Sequence, residues 1–279
     1  MGLLHSLQSK LEFAGCTSPQ FRSNTGLGRI AVAAFGLGIV LGMHLTILVY
    51  LVAQQAVAAF RGEGALASSA LLWCIHIVSL TMFHFMEFFT TALFKPESVS
   101  YDAFIINHST MYTAAILAAW AEFWLESWLF PTFKPSWAGI AAVGLVLVVL
   151  GQSFRVSAMW TCQSHFNHQI MVEKEEQHRL VTHGVYTYLR HPSYFGWFWW
   201  SVGTQVLLLN PVCVVGYAVS SWSFFNGRIP FEEDLLREFY PDEYQAYMNR
   251  TYIGIPFIVN DRRPQGGDRA SDPSLKKQQ

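Results

Sequence analysis

Long apolar runs separated by short polar breaks make up the chain as far as residue 160. Arg29 to Phe60, Ala65 to Phe94, Tyr101 to Phe130 and Ser136 to Met159 are each long enough to cross a bilayer as a helix, which takes about 20 residues. The first run reads either as one long tilted helix or as two short ones broken near Gly36, Gly38 and Gly42. Lys95-Pro96 and Pro131 end the second and third runs, Pro135-Ser136 starts the fourth, and Gly139 and Gly144 offer close helix contact.

The pattern then breaks into TCQSHFNHQIMVEKEEQHRLVTHG, which is too polar to span. Two shorter apolar stretches follow, Ser193 to Leu209 and Val212 to Phe225, which turn once at Asn210-Pro211. Seventeen residues reach only about 25 Å as a helix, so this hairpin crosses a thinned or partly protein-lined region. Its antiparallel course returns the polar cluster after Phe225 to the cluster before Ser193. The pattern as a whole predicts an all-α, polytopic integral membrane protein. An N-terminal segment covers residues 1–28, transmembrane helices 29–170, a catalytic region with the re-crossing hairpin 171–262, and a disordered tail 263–279.

Composition supports this division. The chain is 52% hydrophobic and 13% charged, with a mean hydropathy of +0.27, whereas soluble domains carry about 25% charged residues. Eleven of the eighteen Lys/Arg lie beyond Met171, which places that face and the C-terminus in the cytosol. A net charge of -1 argues against a nucleic-acid partner. The four cysteines, Cys16, Cys74, Cys162 and Cys213, show neither a disulfide framework nor metal spacing. Within the spans, Glu87, Glu122, Glu126 and Arg155 are ionisable; Glu122 and Glu126 share a helix face, and structural pairing with Arg155 is expected.

Five histidines between His165 and His191 invite a metal reading, but their spacing completes no compact ligand set. His191-Pro192-Ser193-Tyr194 opens a helix whose free backbone N–H groups face the polar cluster, an arrangement that favours anions and equally serves as a cap. Gly184 permits a tight turn and a close backbone approach. Arg228 and Glu232 stand one helical turn apart. A guanidinium there can clamp a carboxylate and a glutamate can hold an ammonium, or the two can simply pair with each other.

With these strings in view, LVTHGVYTYLRHPSYFGWFWW followed by NGRIPFEEDLLREFYPDEYQAYMNRTYIGIPFI resembles the isoprenylcysteine carboxyl methyltransferase family. The likeness extends to FNH at Phe166 to His168, FHFMEFF around Glu87 and NHS at Asn107, so it runs from about residue 70 onward. Ile229-Pro230-Phe231 sits where acidic or mixed residues also occur in the family. The resemblance implies about eight crossings, a cytosolic face that binds S-adenosylmethionine and releases S-adenosylhomocysteine, and residence in the endoplasmic reticulum, which the terminal Lys276-Lys277 pair suits. It assigns the cofactor to His178, Leu180, Val181, Tyr186, His191, Pro192, Ser193, Tyr194 and Glu232, and the substrate carboxylate to Arg228. The implied substrate is the prenylated C-terminal cysteine, farnesyl or geranylgeranyl, of processed CAAX proteins such as small GTPases, presented from membrane lipid. The rival readings are an NADPH-dependent sterol reductase, a phospholipid N-methyltransferase and a non-catalytic membrane scaffold.

Overall fold

The computed structural model describes residues 18–62, 68–174 and 179–258, and these form helices joined by short turns. The seven longer helices are α1 (Leu27–Phe60), α2 (Ser69–Phe94), α3 (Thr110–Leu129), α4 (Ala138–Cys162), α5 (Pro192–Leu208), α6 (Pro211–Phe239) and α7 (Pro241–Arg250). Among the described residues, extended pairing is limited to an isolated bridge between Leu189 and Tyr252. The chain is all-α, as its hydrophobic pattern predicts. Its two compact units divide within α3, after Leu117. Among the described residues, three helical stretches are long and apolar enough to cross a membrane: Leu27–Phe60, Ser69–Phe94 and Ala138–His165.

In the first unit α1 is one continuous helix of 34 residues. An isolated glycine costs a helix only about 1 kcal/mol relative to alanine, and Gly36, Gly38 and Gly42 have nothing within 4 Å of where a side chain would begin. In such an apolar run they do not break the helix. On α2, Glu87 is completely buried and His84 nearly so. The His84 ring bonds the Phe104 carbonyl through Nδ1 at 2.8 Å and lies 3.4 Å from the Tyr112 hydroxyl through Nε2.

In the second unit α4 and α5 meet backbone to backbone. A Cβ on Gly144 would lie 2.2 Å from Leu207 N, one on Gly151 2.5 Å from Trp200 N, and one on Gly196 2.6 Å from Arg155 N. The expected close contact at Gly144 is therefore present, whereas Gly139 has open space around it and makes none. This seam buries most of α5, including Ser201, Thr204 and Gln205. The hydroxyls of Ser201 and Thr204 donate back to carbonyls three residues earlier, so their burial is compensated.

The predicted turn falls at Asn210-Pro211, and polar groups close it. Leu209 ends α5 in the left-handed region, with φ of 55°. The fully buried Lys134 ammonium donates to the Leu208 carbonyl at 2.8 Å, the Leu209 carbonyl at 3.0 Å, Asn210 Oδ1 at 3.1 Å and Glu126 Oε2 at 2.8 Å. Glu122 accepts the backbone N–H groups of Val212 and Cys213 at 2.7 and 2.8 Å, opposing the positive end of α6. Glu122 and Glu126 thus have structural roles, but their partners are a helix start and Lys134 rather than Arg155. Lys134 reaches both the carboxylate and the free carbonyls from a helical turn at Phe133–Ser136, an approach that helix periodicity does not reveal.

The returning helix is longer than its apolar stretch. Instead of ending at Phe225, α6 continues through Pro230 to Phe239, 29 residues in all. Pro230 removes one N–H from the ladder, yet its ring is exposed and the buried side chains on either side, Ile229 and Glu233, keep the helix packed. This polar extension carries the candidate site.

Candidate active site

The start of α5 is fixed from behind. Arg190 N donates to the Tyr252 carbonyl and Tyr252 N to the Tyr188 carbonyl, each at 3.0 Å, which joins the RHPSY string to the segment following α7. The buried Arg190 side chain pairs with Glu233 through Nε and donates through Nη1 to the Thr251 carbonyl at 3.1 Å. Glu233 Oε1 also lies 3.1 Å from His191 Nε2. Burial by itself would raise the Glu233 carboxyl, but His191 and Arg190 together outweigh it and hold the group below the usual carboxylate range.

With its position set, the His191 ring stacks on Tyr194 with centroids 5.4 Å apart and planes 6° from parallel. The Tyr194 hydroxyl donates to Glu232 Oε2 at 2.6 Å and accepts from Arg228 Nε at 2.9 Å. Arg228 Nη2 donates to the His168 carbonyl at 2.6 Å, and no acceptor among the described residues takes Nη1. Arg228 and Glu232 form no ion pair with each other. Ser193, the fourth residue of the string, accepts from Arg155 Nη1 at 2.7 Å, which gives the buried intramembrane arginine a partner.

One cavity gathers the residues that sequence reasoning selected. Leu180, Val181, Tyr186, His191, Pro192, Ser193, Tyr194 and Glu232 all line it. Arg228 stands outside the lining and touches it through Tyr194. His178 lies outside the described residues. Gly184 has a φ of 58°, and a Cβ added there would lie 2.9 Å from the Thr161 side chain, the close approach expected of it.

Several lining residues were not anticipated. Tyr244 and Tyr247, on α7, form an aromatic and aliphatic wall with Met248, Leu180, Tyr186, Leu236 and Tyr240. Their i,i+3 spacing in DEYQAY was the available signal. Ile170 and Met171 line the cavity from a stretch without a recognisable motif. Burial pushes the Tyr186 hydroxyl well above the ordinary tyrosine range, with Cys162 and Glu232 adding to the shift. Tyr244 is raised likewise by burial and then by Glu233, so both hydroxyls remain protonated at neutral pH.

The cavity is chemically two-sided. One wall suits a flat apolar ring system, while His191, Tyr194 and Glu232 present π faces and a carboxylate to a cationic, amine-bearing group. The Arg228 guanidinium, just beyond, suits an anion.

Comparison with known proteins identifies the family. The sequence profile of the isoprenylcysteine carboxyl methyltransferase (ICMT) family matches residues 143–238. A protein-S-isoprenylcysteine O-methyltransferase of Tribolium castaneum is 40% identical over 230 residues, covering 82% of this chain and 75% of that protein. The Homo sapiens protein of the same name is 47% identical over 184 residues, 66% of this chain and 64% of its own length, so the match spans slightly less than two thirds of it. A solved structure described as the eukaryotic intramembrane Ras methyltransferase ICMT superposes with a TM-score of 0.72 at 39% identity, covering 82% of this chain and 76% of that one. A shared fold and this identity across three quarters of a relative establish that the chain belongs to the protein-S-isoprenylcysteine O-methyltransferase family.

Proposed function

We propose that the chain transfers the methyl group of S-adenosylmethionine to the C-terminal α-carboxylate of a farnesylated or geranylgeranylated cysteine on processed CAAX proteins such as small GTPases. The products are a methyl ester and S-adenosylhomocysteine. The observation that carries this reading is the chain Arg228 Nε to Tyr194 hydroxyl to Glu232 at the edge of the cavity, which holds one cation and one anion at a fixed separation. The names of the Tribolium and human relatives specify the same reaction class.

S-adenosylmethionine supplies the electrophilic methyl group of a sulfonium. A C-terminal α-carboxyl has a reference pKa of about 3.5, so the acceptor is already an anion and needs no general base. Bond making at oxygen and bond breaking at sulfur annihilate charge, and acceleration comes from positioning and from exclusion of water. Arg228 offers Nη1 to the substrate carboxylate while Tyr194 and His168 fix the guanidinium plane. Glu232 accepts the Tyr194 hydrogen bond on one oxygen, and its other oxygen would hold the cofactor amine. The stacked faces of His191 and Tyr194 suit a sulfonium. No metal is required in this scheme.

The setting is a multi-pass protein of the endoplasmic reticulum membrane with about eight crossings, its active face and C-terminus in the cytosol. The Lys/Arg excess beyond Met171 supports that orientation; the Lys276-Lys277 pair lies outside the described residues. Binding of S-adenosylhomocysteine in detergent, followed by thermal unfolding, tests the reading. At 100 times its dissociation constant the ligand should stabilise the protein by about 2.7 kcal/mol. Methyl transfer should occur to a farnesylated cysteine peptide and not to the bare peptide. Absence of stabilisation, or equal turnover of the two peptides, overturns it.

A further inference from the structure

We infer that the Tyr244 hydroxyl is a ligand group of the cavity and donates a hydrogen bond to the adenosine half of the cofactor, an inference that rests on the reading just given. Tyr244 is only 1% exposed. Its ring packs in the aromatic wall, tilted against Tyr247 with centroids 6.0 Å apart. The hydroxyl is buried, belongs to a residue that lines the cavity, and has no hydrogen-bond partner among the described residues.

A buried donor without a partner is costly and uncommon in native proteins. Other polar groups around it are already engaged: Tyr247 donates to the Tyr186 carbonyl at 2.7 Å, Tyr194 to Glu232, and Arg190 to Glu233. Burial and the nearby Glu233 keep Tyr244 protonated, so it is a donor waiting for an acceptor. Glu232, a carboxylate, suits the amine end of the cofactor. The apolar wall to which Tyr244 belongs, with Leu180 and Leu236, suits the planar base, whose ring nitrogens and neighbouring ribose oxygens are acceptors.

Tyr244→Phe tests this in the full-length protein, because deleting an unpartnered hydroxyl costs the free protein nothing. The ligand-free melting temperature should be unchanged or higher. The affinity for S-adenosylhomocysteine should fall about 3- to 20-fold, the range for one lost hydrogen bond, with the same fold-loss for 5′-methylthioadenosine, which lacks the amino-acid end. Unchanged affinity, or a loss seen with S-adenosylhomocysteine alone, overturns the assignment. A lowered ligand-free melting temperature also overturns it, because the hydroxyl would then be satisfied within the protein. Should the parent protein bind neither compound, the failure belongs to the functional reading itself.

Discussion

Arg228 and Glu232, one turn apart on α6, are joined through the Tyr194 hydroxyl instead of through each other. A direct ion pair would neutralise both groups and leave neither for a ligand. With the tyrosine between them, Nη1 of the guanidinium and one oxygen of the carboxylate remain available. On the proposed reading, this arrangement lets the two residues divide their labour between substrate and cofactor.

Arg228→Ala should leave affinity for S-adenosylhomocysteine within about twofold of the parent while turnover collapses. Glu232→Ala should weaken that affinity by an amount equivalent to about 1.5–3 kcal/mol, the value of a charge-assisted hydrogen bond. Arg228→Lys should rescue poorly, since an ammonium lacks the planar fork. Titration calorimetry beside a methyl-transfer assay decides the matter, and equal loss of ligand affinity in both alanine variants would contradict this assignment.

Tyr194→Phe keeps the ring against His191 and removes only the bridge. The KM for the prenylated peptide and the dissociation constant for S-adenosylhomocysteine should both rise, each by about 3- to 10-fold, because the hydroxyl that positions both the Arg228 guanidinium and the Glu232 carboxylate is lost. A change in only one of the two constants would mean that the hydroxyl serves a single ligand.

Glu233 gives the fold a dependence on acidity. Its carboxyl is held below the usual glutamate value of about 4.5, so the native state binds its proton less readily than the unfolded chain does. The resulting stabilisation is fully present above about pH 4.5 and is lost as pH falls through the lower native value. Glu233→Ala should be less stable than the parent near neutral pH by about 3–5 kcal/mol, since it strands Arg190. The gap in melting temperature should narrow as pH drops below 4.5; a gap independent of pH would rule out this coupling.

Lys134 should matter for folding rather than for chemistry. Its removal leaves Glu126, two carbonyls at the end of α5 and Asn210 Oδ1 without their cation. Lys134→Ala should cost about 3–5 kcal/mol, and adding Glu126→Ala should recover part of that loss, the non-additivity expected of contacting residues. Melting of both variants in detergent measures it, and strict additivity would show that the pair is not coupled.

The sequence made the hairpin and its polar ends legible because apolar length and the Asn210-Pro211 turn are local signals. The cavity lining around RHPSY was legible through family resemblance. What escaped notice depended on direction around a helix. Glu232 and Glu233 are neighbours in sequence, yet a step of about 100° sends one towards the cavity and the other, 3% exposed, into Arg190 and His191. Tyr194 was assigned to the cofactor by resemblance, but no spacing rule could show that its hydroxyl falls between two side chains on another helix. Lys134 carried no local signal, because the carbonyls it caps lie more than seventy residues away.

The glycine seam between α4 and α5 has a mechanical consequence. Where backbone lies on backbone there are few side-chain torsions to absorb a small displacement, so the pair cannot creep along its contact. Arg155 from one helix and Ser193 from the other are thereby fastened to a common anvil. On the proposed reading, ligand entry and release would fall to the opposite side: the Gln163–His165 turn with the segment after it, held by Arg228 at His168 and by Lys174 at the end of α6.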